Sequence, residues 1–478
     1  MGQEIDDSEF TAADFSEFSR RLALETELLG RWFDGSGLSQ QDDVGGFELE
    51  AWLVDAEARP APINEVYLIH LNDDLATPEL ARFNVEFNVP HEPLVGPFFR
   101  HVHQKLDSIW SRAVQAAREI GAGLVMIGTL PTLQEQQLNP SNMSDLNRYR
   151  ALNEQVFRQR QGRPIDLDIV GREHLSIQTE SVMLESATTS FQIHLKVVPQ
   201  RAVRFLNAAM VASAPMVAVA ANSPYLYGKD LWAETRIPLF EQSIEVGGFD
   251  GASQGPMRRV GFGTGYVRDS LFECFEENQE HYPVLLPTLF DEPAEKLAHL
   301  RLHNGTIWRW TRPLIGFDDD GTPHLRIEHR VLPAGPSVID CVANAAFFFG
   351  LVEFLASREI APELQLPFAQ ARDNFYNAAR DGLQARITWL DSRNTTAQDV
   401  ILYHLLPMAR TGLEDLGIDS ADRDLYLGVI ENRAGKGCNG ASWQRAYVAD
   451  HGPDLVQLTR AYQAHQDSGA PVHEWNTD

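Results

Sequence analysis

The sequence predicts an α+β protein, in which a largely antiparallel sheet with one polar face is packed by helices and followed by a mainly helical C-terminal region. Three observations support this fold class. The strand-like segments of the 478-residue chain are irregularly spaced, whereas a parallel sheet would alternate regularly with helices. The last two segments, residues 306–315 and 323–332, flank the acidic turn DDDGT, which is a hairpin signal. Beyond Ser337 the pattern is mainly helical to the end.

The first part of the chain mixes helices and strands. The predicted helices cover residues 14–33, 97–120, 144–161 and 200–221. The predicted strands are GFELEAWLVD (46–55), RFNVEFNV (82–89), GLVMIGTL (123–130) and ATTSFQIHLKVV (187–198). Pro90 and Pro131 end two of these strands, because proline cannot donate to a sheet ladder.

The last helices and the domain division follow from caps and apolar runs. Ser337 can cap a helix, with Asp340 three residues further on. The apolar stretches 205–221 and 338–356 are interrupted by polar residues, so we predict buried helices and no membrane spans. We expect three regions: an N-terminal helix and loop (1–43), a catalytic sheet domain (44–345) and a helical region that packs on it (346–478).

Composition limits the partners and the compartment. The net charge is −27, which repels nucleic acid and anionic membranes and argues against both as partners. The three cysteines are too few and too scattered for a disulfide framework, which suggests a reducing cytoplasm. Of the 40 basic residues only five are lysine, and arginine is suited to bidentate recognition of phosphate and carboxylate. The oligomeric state is not predicted.

Several common catalytic motifs are absent. The chain has no P-loop, and GFGTGYV lacks the third glycine of a dinucleotide-binding loop. His299 and His303 are four residues apart, but no zincin glutamate accompanies them, so we predict a surface or capping pair.

Polar residues alternate along several strands. In GFELEAWL, Glu48 and Glu50 share a face, since residues i and i+2 of a strand point the same way. Trp308, Trp310 and Arg312 share a face in the same manner. A solvated face of an antiparallel sheet gives this alternation too.

The identity of the polar residues favours a binding site over a solvated face. Adjacent glutamates repel each other unless a cation lies between them. A set of hard oxygen and imidazole ligands for Mg²⁺ or Mn²⁺ is offered by Glu48, Glu50, Glu86, His194 and Glu328. Arg330 lies two residues from Glu328, and an anion held between metals and arginine is most simply a polyphosphate. The pattern therefore predicts an ATP–Mg platform without a P-loop.

The ordered series GFELEAWLVD, FNVEFN, SFQIHLKV, ANSPYLYG, TIWRWTRP and RIEHRVLPAGP resembles glutamate–cysteine ligase family 2. This family includes bacterial glutamate–cysteine ligases and carboxylate–amine ligases. The resemblance covers about residues 44–345 and continues weakly into the helical tail. It implies a glutamine-synthetase-like sheet, whose concave face binds two or three divalent ions, ATP and an amino-acid carboxylate.

The resemblance also implies roles for individual residues. The five ligands named above would hold Mg²⁺ or Mn²⁺. The residues implied at the nucleotide are Arg330, Arg312 and Trp308, with Arg330 and Glu328 acting in catalysis. The residues implied at the substrates are Arg236, which would grip an α-carboxylate, and Arg148, Tyr149 and Gln192. Two arginines of the tail, Arg380 and Arg433, would close the site.

The predicted reaction is ATP-dependent amide formation between a carboxylate, the γ-carboxylate of glutamate, and the amine of cysteine, through an acyl phosphate. The chain departs from the family at Pro333, where aspartate is common, and at YLYGKDLWAE after ANSP. These departures leave a different acceptor amine open. A metal-dependent hydrolase, a guanidino kinase and a non-catalytic homologue that binds nucleotide or amino acid are also compatible with these residues.

Overall fold

Strands and helices alternate in the first two thirds of the chain, and helices dominate the rest. The computed structural model describes residues 4–5, 8–35, 37–41, 43–246, 257–390 and 392–478. The strands are β1 (Val44–Val54), β2 (Ala76–Pro78), β3 (Asn84–Pro93), β4 (Gly123–Val125), β5 (Ile165–Val170), β6 (His174–Thr179), β7 (Phe191–Val197), β8 (Tyr225–Leu226), β9 (Lys229–Asp230), β10 (Val260–Gly261), β11 (Trp308–Arg309), β12 (Thr311–Phe317), β13 (Pro323–His329), β14 (Arg386–Thr388) and β15 (Asn394–Thr396).

The helices include every long helix that the sequence predicts. They are α1 (Ala12–Asp34), α2 (Asn64–Leu71), α3 (Phe98–Glu119), α4 (Asn147–Gln159), α5 (Pro199–Ala220), α6 (Arg236–Ser243), α7 (Phe272–His281), α8 (Ala298–Gly305), α9 (Val338–Ala356), α10 (Pro362–Gln365), α11 (Phe368–Asp381), α12 (Ala397–Val400), α13 (Leu406–Asp415), α14 (Ser420–Lys436), α15 (Gly440–His451) and α16 (Leu455–Asp467). The predicted N-terminal loop contains residues 36 and 42, which lie outside the described residues.

Seven strands form the central sheet in the order β12-β13-β7-β1-β3-β2, with β4 also paired to β1. Every pairing within this sheet is antiparallel, so the predicted α+β fold class is confirmed. Its apolar face packs on helices: Phe47 of β1 contacts Phe98 of α3 and Phe349 of α9. The opposite, polar face is left for the site.

Two strand predictions extend too far. The strand predicted at 123–130 ends at Val125, because side chains of α16 replace the ladder beyond it. Gln466 accepts from the Met126 amide, and Tyr462 donates to the Met126 carbonyl. The strand predicted at 306–315 is split between β11, which pairs with β10, and β12 of the central sheet.

The two most apolar helices, α5 and α9, lie inside the protein. Both are long and apolar enough to cross a membrane, but 89% and 94% of their apolar windows are buried. The prediction of buried helices is therefore confirmed. Ser337 caps α9 by accepting from the Asp340 amide, also as predicted.

The C-terminal region is mainly helical, as predicted, and packs on α9. Arg433 of α14 donates to Asp340 and Asn344 of α9. The predicted boundary at residues 345/346 falls within this continuous helix, and the three-part division stays a prediction.

The predicted surface or capping pair, His299 and His303, does not lie at the surface. His299 and His303 are both buried on α8. The His299 ring lies 2.6 Å from a carboxylate oxygen of Glu25 in α1, and the Leu300 amide donates to the same carboxylate. No local pattern in the sequence indicates that α1 covers α8 and fixes its position.

Candidate active site

A cavity of about 260 Å³ lies on the polar face of the sheet, close to the lower size limit of small-molecule sites. The polar residues that the central sheet contributes to its wall are Glu48, Glu50, Glu86, Gln192, Arg312, Arg326, Glu328 and Arg330. The wall also includes Trp308 of β11 and residues of helices α4 and α8, among them Arg148, Tyr149, Arg301 and Leu302. The alternation in the strands therefore marks a cavity wall and not a solvated face.

Strand register brings the predicted metal ligands together in pairs. Glu50 of β1 lies opposite Glu86 of β3, and Glu328 of β13 lies opposite His194 of β7. The His194 Nε2 atom is 3.2 Å from Glu48 Oε1. The cavity wall includes Glu48, Glu50, Glu86 and Glu328. His194 is not part of this wall, but it contacts Glu48.

Carboxylates crowd one end of this cavity. Burial and the charge of Glu79 raise the pKa of Glu50 to about 7. Burial and the charges of Glu48 and Glu79 raise the pKa of Glu86 well above its ordinary value. Burial, Glu79 and Glu50 raise the pKa of Glu185 to about 8. Such shifts arise where carboxylates are buried and lie close to like charges.

Two of these carboxylates, Glu79 and Glu185, are not among the residues predicted from the sequence. Glu79 follows the three-residue edge strand β2, and Glu185 lies in a 3₁₀ turn at Val182–Ala187. Neither segment is long enough to show an alternation of apolar and polar residues. The one available signal in the sequence is that both are acidic residues close to strands that carry predicted site residues.

The donor chemistry of the carboxylate end fits a hard divalent cation. Within the described residues, no group of three or more His, Cys, Asp or Glu is compact enough to hold a metal ion. Burial and, after it, the charges of neighbouring carboxylates raise the pKa values of Glu50 and Glu86, and a bound cation would offset both effects. Carboxylate oxygens are also the ligands that Mg²⁺ prefers.

Glu328 is held by two arginines. Arg312 donates to both of its oxygens, at 2.6 and 3.1 Å, and Arg330 lies 3.5 Å away. Burial alone would raise the pKa of Glu328, but Arg312 and Arg330 lower it to about 2. Glu328 therefore stays ionised, and Arg312 is already engaged through this pair and through the Asn304 carbonyl.

The predicted substrate wall also lies at the cavity. Arg148 of α4 donates to the Tyr149 hydroxyl at 2.7 Å, and that hydroxyl lies 3.4 Å from Glu79. Gln192 donates to Glu50 at 2.9 Å. These three predicted residues thus lie next to the carboxylates.

Four other residues do not reach the cavity. Arg236 is fully buried, and its guanidinium donates to Glu234 and to the carbonyls of Arg330 and Val331. Trp310 leaves the polar face because the strand breaks there, and its indole N–H donates to Glu241. Arg433 is buried against α9, and Arg380 is exposed beside Asp381.

Three comparisons relate the chain to known proteins. The model of glutamate–cysteine ligase family 2 matches residues 44–464. Glutamate–cysteine ligase from Francisella tularensis in complex with AMP has 11% sequence identity and a TM-score of 0.51, over 92% of this chain and 91% of that one. A bifunctional glutathione synthetase from Pasteurella multocida has 13% identity and a TM-score of 0.52, over 93% of this chain and 55% of that one. No curated protein sequence gives a significant match.

Proposed function

This chain belongs to glutamate–cysteine ligase family 2, and on that premise we propose that it is an ATP-dependent ligase that joins a carboxylate to an amine. The observation that carries the proposal is one cavity in which crowded carboxylates adjoin Arg330 and the Arg148–Tyr149 wall. Such a cavity suits a metal-bound polyphosphate on one side and an amino acid on the other.

The proposed reaction has two steps. An oxygen of the substrate carboxylate, the γ-carboxylate of glutamate, attacks the γ-phosphorus of ATP, and the bond to the departing ADP breaks. The amine, that of cysteine, then attacks the acyl carbon, and phosphate leaves with the bridging oxygen. The amine loses a proton as the amide forms. The protein contributes mainly positioning and electrostatic stabilisation.

Each side chain has a proposed task. Arg330 offsets the charge on the phosphate that is transferred, while Arg312 and Trp308 contact the nucleotide. Arg148, Tyr149 and Gln192 bind the amino acid.

The carboxylates and His194 have the task of holding the metal. Two or three Mg²⁺ or Mn²⁺ ions would neutralise phosphate charge, held by Glu48, Glu50, Glu86, His194 and Glu328. Glu328 keeps capacity for a cation beside Arg312, because each carboxylate oxygen has two lone pairs.

The test is phosphate release from ATP with glutamate fixed and the amine varied, while the mass of the organic product is followed. A ligase releases phosphate only when both co-substrates are present, and its product has the mass of the amide. Phosphate release without amide would indicate a hydrolase, and a phosphorylated product that persists would indicate a kinase. The amine with the highest kcat/KM identifies the acceptor.

A further inference from the structure

Two further arginines belong to the cavity wall, besides those with a proposed task. Arg326 lies on β13, two residues from Glu328 and four from Arg330. Arg301 lies on α8, the helix that Glu25 fixes against α1. Both line the cavity.

These two guanidinium groups differ from the other arginines of the cavity in their partners. Arg312 and Arg330 both contact Glu328. Among the described residues, no carboxylate oxygen lies within 4 Å of Arg301 or Arg326. The buried Nε atom of Arg326 has no hydrogen-bond partner there either.

A third cation adds to the positive charge. The Lys296 ammonium lies over the Phe317 ring at 5.0 Å, and the Arg301 guanidinium lies over the same ring at 5.6 Å. Partial desolvation and the charge of Arg326 lower the pKa of Arg301, against the opposite effect of Glu292. Lys296 thus adds a third positive charge next to Arg301, on a chain whose net charge is −27. The positive charges of Arg301 and Arg326 repel each other, and an anion bound between them would offset that repulsion.

We propose that Arg301 and Arg326 bind the phosphates that remain with the leaving nucleoside diphosphate. This inference rests on the proposed ligase function, in which Arg330 acts on the phosphate that is transferred. Arg326 lies in β13, Arg330 directly follows that strand, and both line the cavity. At the rise of a strand, four residues correspond to about 13 Å. A nucleotide that meets Arg330 with its terminal phosphate therefore extends its other phosphates along β13 toward Arg326 and Arg301. The guanidinium pair would set the affinity for both ATP and ADP.

The test measures ADP and adenosine binding in Mg²⁺ buffer, by calorimetry, for Arg301→Gln, Arg326→Gln and the double variant. Each lost charge-assisted contact should raise the Kd for ADP by about 10-fold, while the Kd for adenosine changes by less than about 2-fold. In turnover, the KM for ATP should rise in parallel, and kcat and the KM for glutamate should stay within about 2-fold of wild type. Arg172→Gln is the matched control, because Arg172 is exposed and pairs with Asp230 outside the cavity.

The outcomes separate this inference from the proposed function. An unchanged Kd for ADP in a folded double variant would overturn the inference and leave the ligase function standing. A wild-type protein that does not bind ADP would also overturn it. If ADP binding falls in the variants but the wild type makes no amide, the phosphate subsite stands and the ligase function fails. Arg326→Lys, which keeps the charge, should lose less ADP affinity than Arg326→Gln, and an equal loss would indicate misfolding and count against the inference.

Discussion

At the scale of single residues, we propose that Arg330 contacts the phosphate that is transferred. Arg330→Ala should lower kcat/KM for ATP. The corresponding rise in activation free energy should be about 2–4 kcal/mol, the size typical of a lost oxyanion contact. Most of the loss should fall on kcat, since the contact strengthens as charge develops. Steady-state kinetics with ATP varied measure it, with the exposed Arg112→Ala as a control. An unchanged kcat/KM would remove Arg330 from the reaction.

Arg236 lies outside the cavity wall, and its predicted contact with an α-carboxylate stays a prediction. Because its guanidinium donates to the carbonyls of Arg330 and Val331, it supports the end of the strand that carries Arg330. Arg236→Lys should therefore destabilise the protein by about 1–3 kcal/mol and raise the KM values for ATP and glutamate together. Thermal unfolding and two-substrate kinetics test this. A defect confined to glutamate would restore the α-carboxylate role.

We expect Glu185 to make the stability of the protein depend on pH. Its folded pKa of about 8 is above the ordinary 4.5, so the folded protein holds a proton that the unfolded chain releases. In metal-free buffer, this contribution to stability is present below about pH 4.5 and is lost as the pH rises toward 8. Glu185→Gln should remove this pH-dependent loss of stability and so stabilise the protein at pH 8 by more than about 1 kcal/mol. Tm measured with a chelator at pH 5 and pH 8 tests it, with exposed Glu57→Gln as control, and an identical pH profile would contradict it.

At the scale of elements, the start of α4 depends on a distant part of the chain. Leu146, which precedes the helix, provides no side-chain cap. Glu4 instead accepts from the Asn147 amide at 2.7 Å and lies 3.9 Å from Arg148. Ile5 packs on Leu286 and keeps Glu4 in place. The N-terminal segment thus fixes the turn that presents Arg148 to the cavity.

Removing this cap should weaken the binding of the amino acid more than the binding of the nucleotide. Glu4→Ala should cost about 0.5–2 kcal/mol at the first turn of α4. Because that turn carries Arg148 and Tyr149, we expect a higher KM for glutamate and an unchanged KM for ATP. Exposed Glu9→Ala is the matched control. Equal changes for both substrates would show that the segment supports the fold as a whole.

Long elements were predictable from the sequence, and short irregular ones were not. Alternation in β1 and β13 was enough to assign Glu48, Glu50 and Glu328 to one face. Trp310 does not share the face of Arg312 as predicted, because β11 and β12 pair with different strands and the alternation does not continue between them. Glu79 and Glu185 lie where no periodicity exists, and only tertiary packing brings them to the cavity.

At the scale of the whole molecule, the C-terminal helices complete the support of the sheet. Tyr462 and Gln466 of α16 hold Met126 beside β4, and Arg433 of α14 holds α9. Local sequence pattern cannot reveal such contacts, because they join residues far apart in the chain. The family match extends to residue 464 and so includes most of this region. The family model therefore spans both the sheet and most of the helical tail.

The central claim is that this cavity activates a carboxylate as an acyl phosphate, and oxygen-18 transfer tests it most directly. Glutamate labelled in its γ-carboxylate is incubated with ATP, Mg²⁺ and cysteine, and the released phosphate is analysed by mass. In the proposed reaction the carboxylate oxygen that attacks the γ-phosphorus leaves with the phosphate when the amine forms the amide. The account predicts one labelled oxygen in phosphate for each amide made. Unlabelled phosphate accompanying ATP consumption would contradict it.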